Sequence, residues 1–223
     1  MFPRPPFFAG ARLNFAENLL YPSCNPDENS FAVIEATEQS RNHVTWKELR
    51  ERVCQCSIAL RRAGVKRGDR VAGYVANHCN ALVAMLSATA IGALWTAMSS
   101  DSGVHAVLDR IQQIEPTVLF ADNATMYKGK VHDMHDKLKD LVQQLPHLKA
   151  CVIFETIGNR EFDMSDVAFA DGTACSHNDF VQLASNTSKL DFEQLEPDHP
   201  VYILYSSGTT VSSSLLLRQA FGD

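Results

Sequence analysis

Ser206, Ser207, Gly208, Thr209 and Thr210 place four hydroxyls and one glycine in five consecutive positions, directly after the apolar run VYILY at 201–205. Such a loop can turn several backbone N–H groups and its hydroxyls toward one anion, and Gly208 can take backbone angles closed to other residues. The ligand that suits it is a phosphate. A Ser/Thr-rich turn after a strand has the same composition, and these five residues alone leave both readings open. The G-x-x-x-x-G-K-[ST] pattern of a P-loop is not present.

Other groups could do chemistry, and each has a plainer reading. His132 and His135 stand three apart with Asp133 and Asp136 beside them, on a helix expected over 132–145. A metal site is imaginable there, but no third ligand cluster accompanies it, and a solvated helix face accounts for it better. Lys128, Gly129 and Lys130 form a small basic turn after a strand, able to hold a phosphate; on sequence alone a solubilising turn is preferred. Cys56 falls on an apolar helix stripe and reads as core, whereas Cys54 points to another face. No G-x-S-x-G elbow supports a hydrolase. No catalytic side chain and no metal ligand is assigned.

The elements that must position these residues alternate between strand and helix. Residues 31–36, 70–76, 94–98, 117–121, 150–154 and 201–205 read as strands. Residues 45–64 carry Trp46, Leu49, Val53, Cys56, Leu60 and Ala63 on one helical stripe, with Thr45 as N-cap, Glu48 completing a capping box, and Gly64 as the stop. Residues 80–91 read as an apolar helix. Asp101 or Ser102 is expected to cap a helix running to Ile114, broken by Glu115-Pro116. Residues 155–176 look like a polar surface loop, 178–184 like a short helix, and 185–200 like a linker. The pattern implies an α/β fold: a mostly parallel sheet with flanking helices, built from βαβ units. Ligands in such sheets bind at the carboxyl ends of strands, where residues 206–210 lie.

Bulk composition sets limits. A chain of 223 residues with 45% hydrophobic and 21% charged residues can bury a real core. A net charge of −6 argues against a general nucleic-acid binder. No stretch approaches a membrane span; the longest mostly apolar run, 81–98, is interrupted by Ser87, Thr89, Gly92 and Thr96. The proline-broken start MFPRPPFFAG has no apolar core of a secretory signal, so the six cysteines read as reduced thiols of a cytosolic protein.

YSSGTT resembles the first half of the phosphate-binding loop of the acyl-adenylating, AMP-forming ligases, [YF]-S-S-G-T-T-G-x-P-K. The likeness runs over about residues 7–210. FFAGARLNFAENLL, the segment from GVKRGDRV through VLDRIQQIEPTVLFA, YKGKVHDMHDKL and LDFEQLEPDHPVYILYSSGTT follow the order of that family's N-terminal part. LNFAENLL and VLDRIQQIEP are most similar to the acetoacetyl-CoA synthetases. The resemblance implies ATP-dependent ligation of acetoacetate to CoA through an acyl-adenylate, with Mg2+ in the family's complete enzymes. It implies that Ser206, Ser207, Gly208, Thr209 and Thr210 hold ATP phosphates, and that Lys130 lies near the CoA phosphate. Val211 stands where the signature has glycine, and no lysine follows. The expectation is therefore the N-terminal part of an adenylation domain over 1–210 with a divergent tail over 211–223. Such a chain is expected to be inactive alone, to self-associate through an exposed apolar face, or else to bind or regulate a full-length synthetase.

Overall fold

A computed structural model describes residues 8–37, 40–158, 162–167, 172–182, 189–205 and 215–219. The chain opens with helix α1 (Phe15–Leu20) and a hairpin of β1 (Phe31–Ala36) and β2 (Arg41–Thr45). Asn14 caps α1 and is fully buried, and its side-chain amide donates to the carbonyls of Thr89, Ala90 and Glu193 at 2.9–3.1 Å. One side chain thus ties three distant segments. Helix α2 (Trp46–Arg62) begins at the expected capping box, Thr45 with Glu48, and ends at Gly64, whose φ of 84° few other residues adopt.

The next elements alternate as the sequence pattern requires: β3 (Arg70–Val75), α3 (Cys79–Ala90), β4 (Leu94–Ser99), α4 (Val104–Ile114) and β5 (Val118–Asp122). A small hairpin of β6 (Ala124–Tyr127) and β7 (Lys130–Asp133) follows, then α5 (His135–Val142), β8 (Ala150–Phe154), a 3-10 turn (Met164–Val167), β9 (Thr173–Ser176), α6 (His177–Gln182), β10 (Pro200–Tyr205) and β11 (Leu215–Gln219).

The main sheet has the order β11-β10-β4-β3-β5-β8-β9. Six of these strands run parallel; β11 alone is antiparallel, pairing with β10. Alternate side chains along each strand feed two cores. Val71, Val75, Trp95, Phe120, Val152 and Phe154 pack under α1, α2, α3 and α6. Ala72, Tyr74, Met98, Leu119, Ala121 and Ile153 pack under α4 and α5. Both faces are therefore covered, as a parallel sheet needs. Gly73 lies in the middle of β3 beneath the Trp95 indole, where an added Cβ would stand 2.8 Å from Cη2 and 2.9 Å from Cζ2.

The structure corrects several expectations. Residues 132–145 are not one helix: His132 belongs to β7 and His135 to α5, so the two imidazoles do not share a helix face. Lys128 and Gly129 take φ of 50° and 70°, the signs a two-residue hairpin turn requires, so residues 130–133 return as β7 and the helix starts only at His135. Neither Asp101 nor Ser102 caps α4; Gly103 precedes it in extended geometry with no side-chain cap. Residues 155–176 are not all loop, since β9 adds a sixth parallel strand there. Its sequence, TACS, carries no apolar pattern to betray it. β10 is flanked by β4 and by β11, and Leu204 remains 48% exposed.

Candidate functional site at the carboxyl edge of the sheet

The chain passes from β3 to β4 on one side and then crosses back to β5 on the other, so the topological switch lies at β3. The carboxyl ends of β3, β4, β5 and β10 converge on this edge. Ser206, Ser207, Gly208, Thr209 and Thr210, which follow β10 directly, lie outside the described residues. The strand that delivers them is well anchored. The Thr96 hydroxyl donates to the Ile203 carbonyl at 2.9 Å, and the Tyr205 phenol donates to the Arg110 carbonyl at 2.6 Å. Burial pushes the Tyr205 phenol up to about 12, so it remains a donor at neutral pH.

At the end of β5, Asp122 is fully buried. Its Oδ2 accepts the Ala76 N–H at 2.7 Å, and its Oδ1 lies 2.8 Å from His78 Nε2. The other ring nitrogen, Nδ1, accepts the Ala81 N–H at 3.2 Å, which makes His78 the N-cap of α3. An accepting Nδ1 places the proton on Nε2, which donates to Asp122. Asp122 thereby fixes both the β3–α3 turn and the tautomer of the cap. Beside this pair, Asn123 is 2% exposed; its Nδ2 donates to the Ile157 carbonyl, and its Oδ1 accepts from the N–H groups of Ala124 and Ile157 and from the Thr156 hydroxyl.

His177 lies against the same group, its ring 4.9 Å from that of Phe154, which in turn meets His78 edge-on at 5.3 Å. Burial, with Arg52 and His78 nearby, lowers the His177 imidazole to about 4, and its buried Nε2 has no hydrogen-bond partner among the described residues. Glu35, from the β1–β2 hairpin, accepts the Cys79 N–H at 2.7 Å, so a carboxylate already occupies the N-terminus of α3.

The β6–β7 hairpin rises from the end of β5 and carries Lys130 opposite Tyr127 at its tip. Lys130 is exposed and Tyr127 is 61% exposed, with the Lys128 ammonium 5.1 Å from the Tyr127 ring. This places a basic tip on the same edge of the sheet as the end of β10. Cys56 and Cys151 are pushed up to about 12 by burial and are not nucleophiles at neutral pH. Among the described residues, no group of three or more His, Cys, Asp or Glu could hold a metal ion. No described helix is long and apolar enough to cross a membrane.

Sequence reasoning located the end of β10 and the basic hairpin tip. It missed the Asp122–His78 pair and two ties on the β4–α4 loop, where the Tyr74 phenol donates to the Ser102 carbonyl and the Lys137 ammonium to the Ser100 carbonyl. The sequence around the start of α3 reads ANHCN, in which Asn77 and Asn80 are the ordinary capping candidates, so the use of His78 as the cap could not be singled out from residue type.

At this edge of the parallel sheet, the sequence SSGTT directly follows β10. The family model described as AMP-binding enzyme matches residues 23–211, and the chain belongs to that family. It is 44% identical over its whole length to the malonamoyl-CoA synthetase of Penicillium aethiopicum, covering 31% of that protein. It is 41% identical over 98% of its length to the acetoacetyl-CoA synthetase of Macaca fascicularis, covering 32% of it. The solved structure of acetoacetyl-CoA synthetase from Streptomyces lividans superposes with a TM-score of 0.84 at 36% identity, over 97% of this chain and 32% of that one. The chain spans about a third of the length of the relatives it matches.

Proposed function

We propose that this chain carries the phosphate-loop portion of a ligase that joins a short 3-oxo carboxylic acid to CoA. The two kinds of relative are named for malonamoyl-CoA and acetoacetyl-CoA. Both acyl groups carry a second carbonyl β to the thioester, and that shared feature sets the substrate class. In the reaction, a carboxylate oxygen of the acid attacks the α-phosphorus of ATP, the bond to pyrophosphate breaks, and an acyl-adenylate forms. The CoA thiol then loses its proton and attacks the acyl carbon, and AMP leaves. Mg2+ enters with the triphosphate as part of the substrate. Ser206, Ser207, Gly208, Thr209 and Thr210 hold the β- and γ-phosphates, and Lys130 at the hairpin tip meets the CoA phosphate. The observation that carries the reading is the sequence SSGTT directly following β10, which ends at Tyr205, in a chain of this family.

The 223-residue chain by itself does not form the adenylate in this reading. Val211 replaces the signature glycine, and residues 211–223 contain no lysine to face the developing charge. Removing one such stabilising group typically costs about 3–4 kcal/mol, a rate factor of hundreds or more. The neutral donors that remain are worth about 0.5–1.5 kcal/mol each, so ATP binding no tighter than millimolar is expected. Two measurements on the purified chain test this. Acid-dependent ATP–pyrophosphate exchange, with acetoacetate and with malonamate, should not exceed that of the Ser207→Ala, Thr209→Ala double variant. Ligand-observed NMR should detect millimolar ATP binding that the double variant loses. Exchange above that control, or micromolar binding, would overturn the account of the loop; no ATP binding at all would overturn the nucleotide assignment.

A further inference from the structure

The β1–β2 hairpin is a two-stranded sheet of its own, paired with no strand of the main sheet. Its inner face fixes it to the molecule. Val44 is buried, Val33 packs against the same core, and Glu35 accepts the Cys79 N–H. Strand alternation alone would put Phe31 on that face with Val33. It does not, because the pairing runs from Phe31–Thr45 to Val33–Val44, so β1 carries an extra residue there, a bulge at Ala32. The bulge turns Phe31 to the outer face. Its ring stacks on that of His43 at 4.4 Å, and His43 is the cross-strand partner of Ile34. Phe31 and Ile34 are each 59% exposed.

The two ends of this outer face differ in charge. Arg41, paired with Ala36, is exposed at one end. Beyond the other end lies the turn before β1, whose Ser30 and Glu28 carbonyls accept the N–H groups of Trp46 and Lys47. That turn exposes Asp27 and Glu28. Glu28 is paired with Arg50 at 3.6 Å, and the exposed Lys47 and Glu48 offset one another. Among the described residues, neither Arg41 nor Asp27 has an ion-pair partner. A face with an apolar centre, a cation at one end and an anion at the other is complementary to itself turned end for end.

We propose that the outer face of the β1–β2 hairpin is a self-association surface, and that its occupant is the same face of a second copy of this chain, related by a two-fold axis across the strands. Phe31 of each copy then meets Ile34 of the other, and Arg41 of each lies over Asp27 of the other. The contact uses the same surface twice, so it closes at a dimer. A strand of six residues is only about 20 Å long, which leaves the face well short of the roughly 800 Å² per partner of a standard interface. The dimer is therefore transient, with a Kd on the order of 10⁻⁴ M. It does not depend on the ligase reading above.

The experiment uses the full 223-residue chain, followed by sedimentation velocity and amide NMR from about 20 µM to about 1 mM, a range that brackets that Kd. The wild type should pass from monomer toward dimer and no further, with concentration-dependent shifts centred on residues 27–36 and 41–45. Phe31→Ser with Ile34→Ser should remain monomeric at an unchanged melting temperature, since neither side chain is buried. Arg41→Glu and Asp27→Lys should each weaken self-association several-fold. An equimolar mixture of these two variants should recover it, because a mixed dimer pairs Glu with Lys at one contact and Asp with Arg at the other. A wild type that stays monomeric at about 1 mM, or shifts that spare the hairpin, overturns the surface. Growth beyond a dimer, or charge variants that associate as the wild type does or fail to recover on mixing, overturns the two-fold arrangement.

Discussion

Gly73→Ala should destabilise the protein, although alanine is ordinarily the better residue in a strand. The new methyl would sit 2.8 Å from Trp95 Cη2, 2.9 Å from Cζ2 and 3.2 Å from Val75 Cγ2. The Trp95 indole cannot simply swing away: it is 6% exposed, and its ring lies 6.3 Å from that of Phe120 in the same core. Forcing one carbon into such packing costs about 1–3 kcal/mol. Restricting the unfolded chain by replacing glycine returns about 0.4–1 kcal/mol. The net loss is about 1–2 kcal/mol, or roughly 2–8 °C in melting temperature for a domain of this size. Urea denaturation followed by far-UV circular dichroism measures it. Trp95→Phe removes the ring atoms that the methyl meets, so the double variant should be more stable than the sum of the single effects by about 1 kcal/mol. A Gly73→Ala protein as stable as the wild type, or effects additive within about 0.3 kcal/mol, would refute the geometry argued for the β3–β4 contact.

His177 makes stability depend on acid. Its folded pKa of about 4 lies below the ordinary 6.5, so the unfolded chain takes up the proton first, and stability falls as pH drops from about 6.5 through 4. The full effect is about 3 kcal/mol; His177→Gln should flatten this part of the pH–stability profile, and an unchanged slope would exclude the residue as its source. Asp122→Asn should cost about 1–3 kcal/mol, since the amide has one acceptor oxygen for two donors, the Ala76 N–H and His78 Nε2–H. If His78 instead switches tautomer to suit the amide, it loses the acceptor that caps α3, and an undiminished urea midpoint would contradict this account. Thr45→Ala should lose about 1 kcal/mol by breaking the capping box of α2, read as a lower melting temperature with an unchanged fold.

The parts of the fold that could be read from the sequence are those written in a single element. The α2 stripe, its capping box and the Gly64 stop are local patterns, and the strands 70–75, 94–99 and 150–154 are short apolar runs between breakers. β9 and β2 escaped because their residues, TACS and RNHVT, are polar and acquire strand geometry only from a neighbour. The turn at Lys128-Gly129 was legible, but β7 after it was hidden because KVHD carries no strand pattern and was absorbed into the helix expected from 132. For the candidate site, the hydroxyl-rich loop and Lys130 carry their signal in residue type. Asp122, His78, Tyr74 and Lys137 do not, because each acts through a partner at least 28 positions away and no periodicity reports such a pairing.

The sheet order also fixes a timetable for synthesis. β10 bonds to β4 across 107 positions of chain, whereas β3, β4, β5 and β8 find their neighbours as they emerge. At about 5–20 residues per second, the outer edge of β4 waits roughly 5–20 s on the ribosome for its partner. During that interval LWTAMS presents a bare, mostly apolar strand edge, the kind of template on which nascent chains aggregate. β10 therefore carries a duty apart from any ligand: its arrival ends the exposure of the β4 edge.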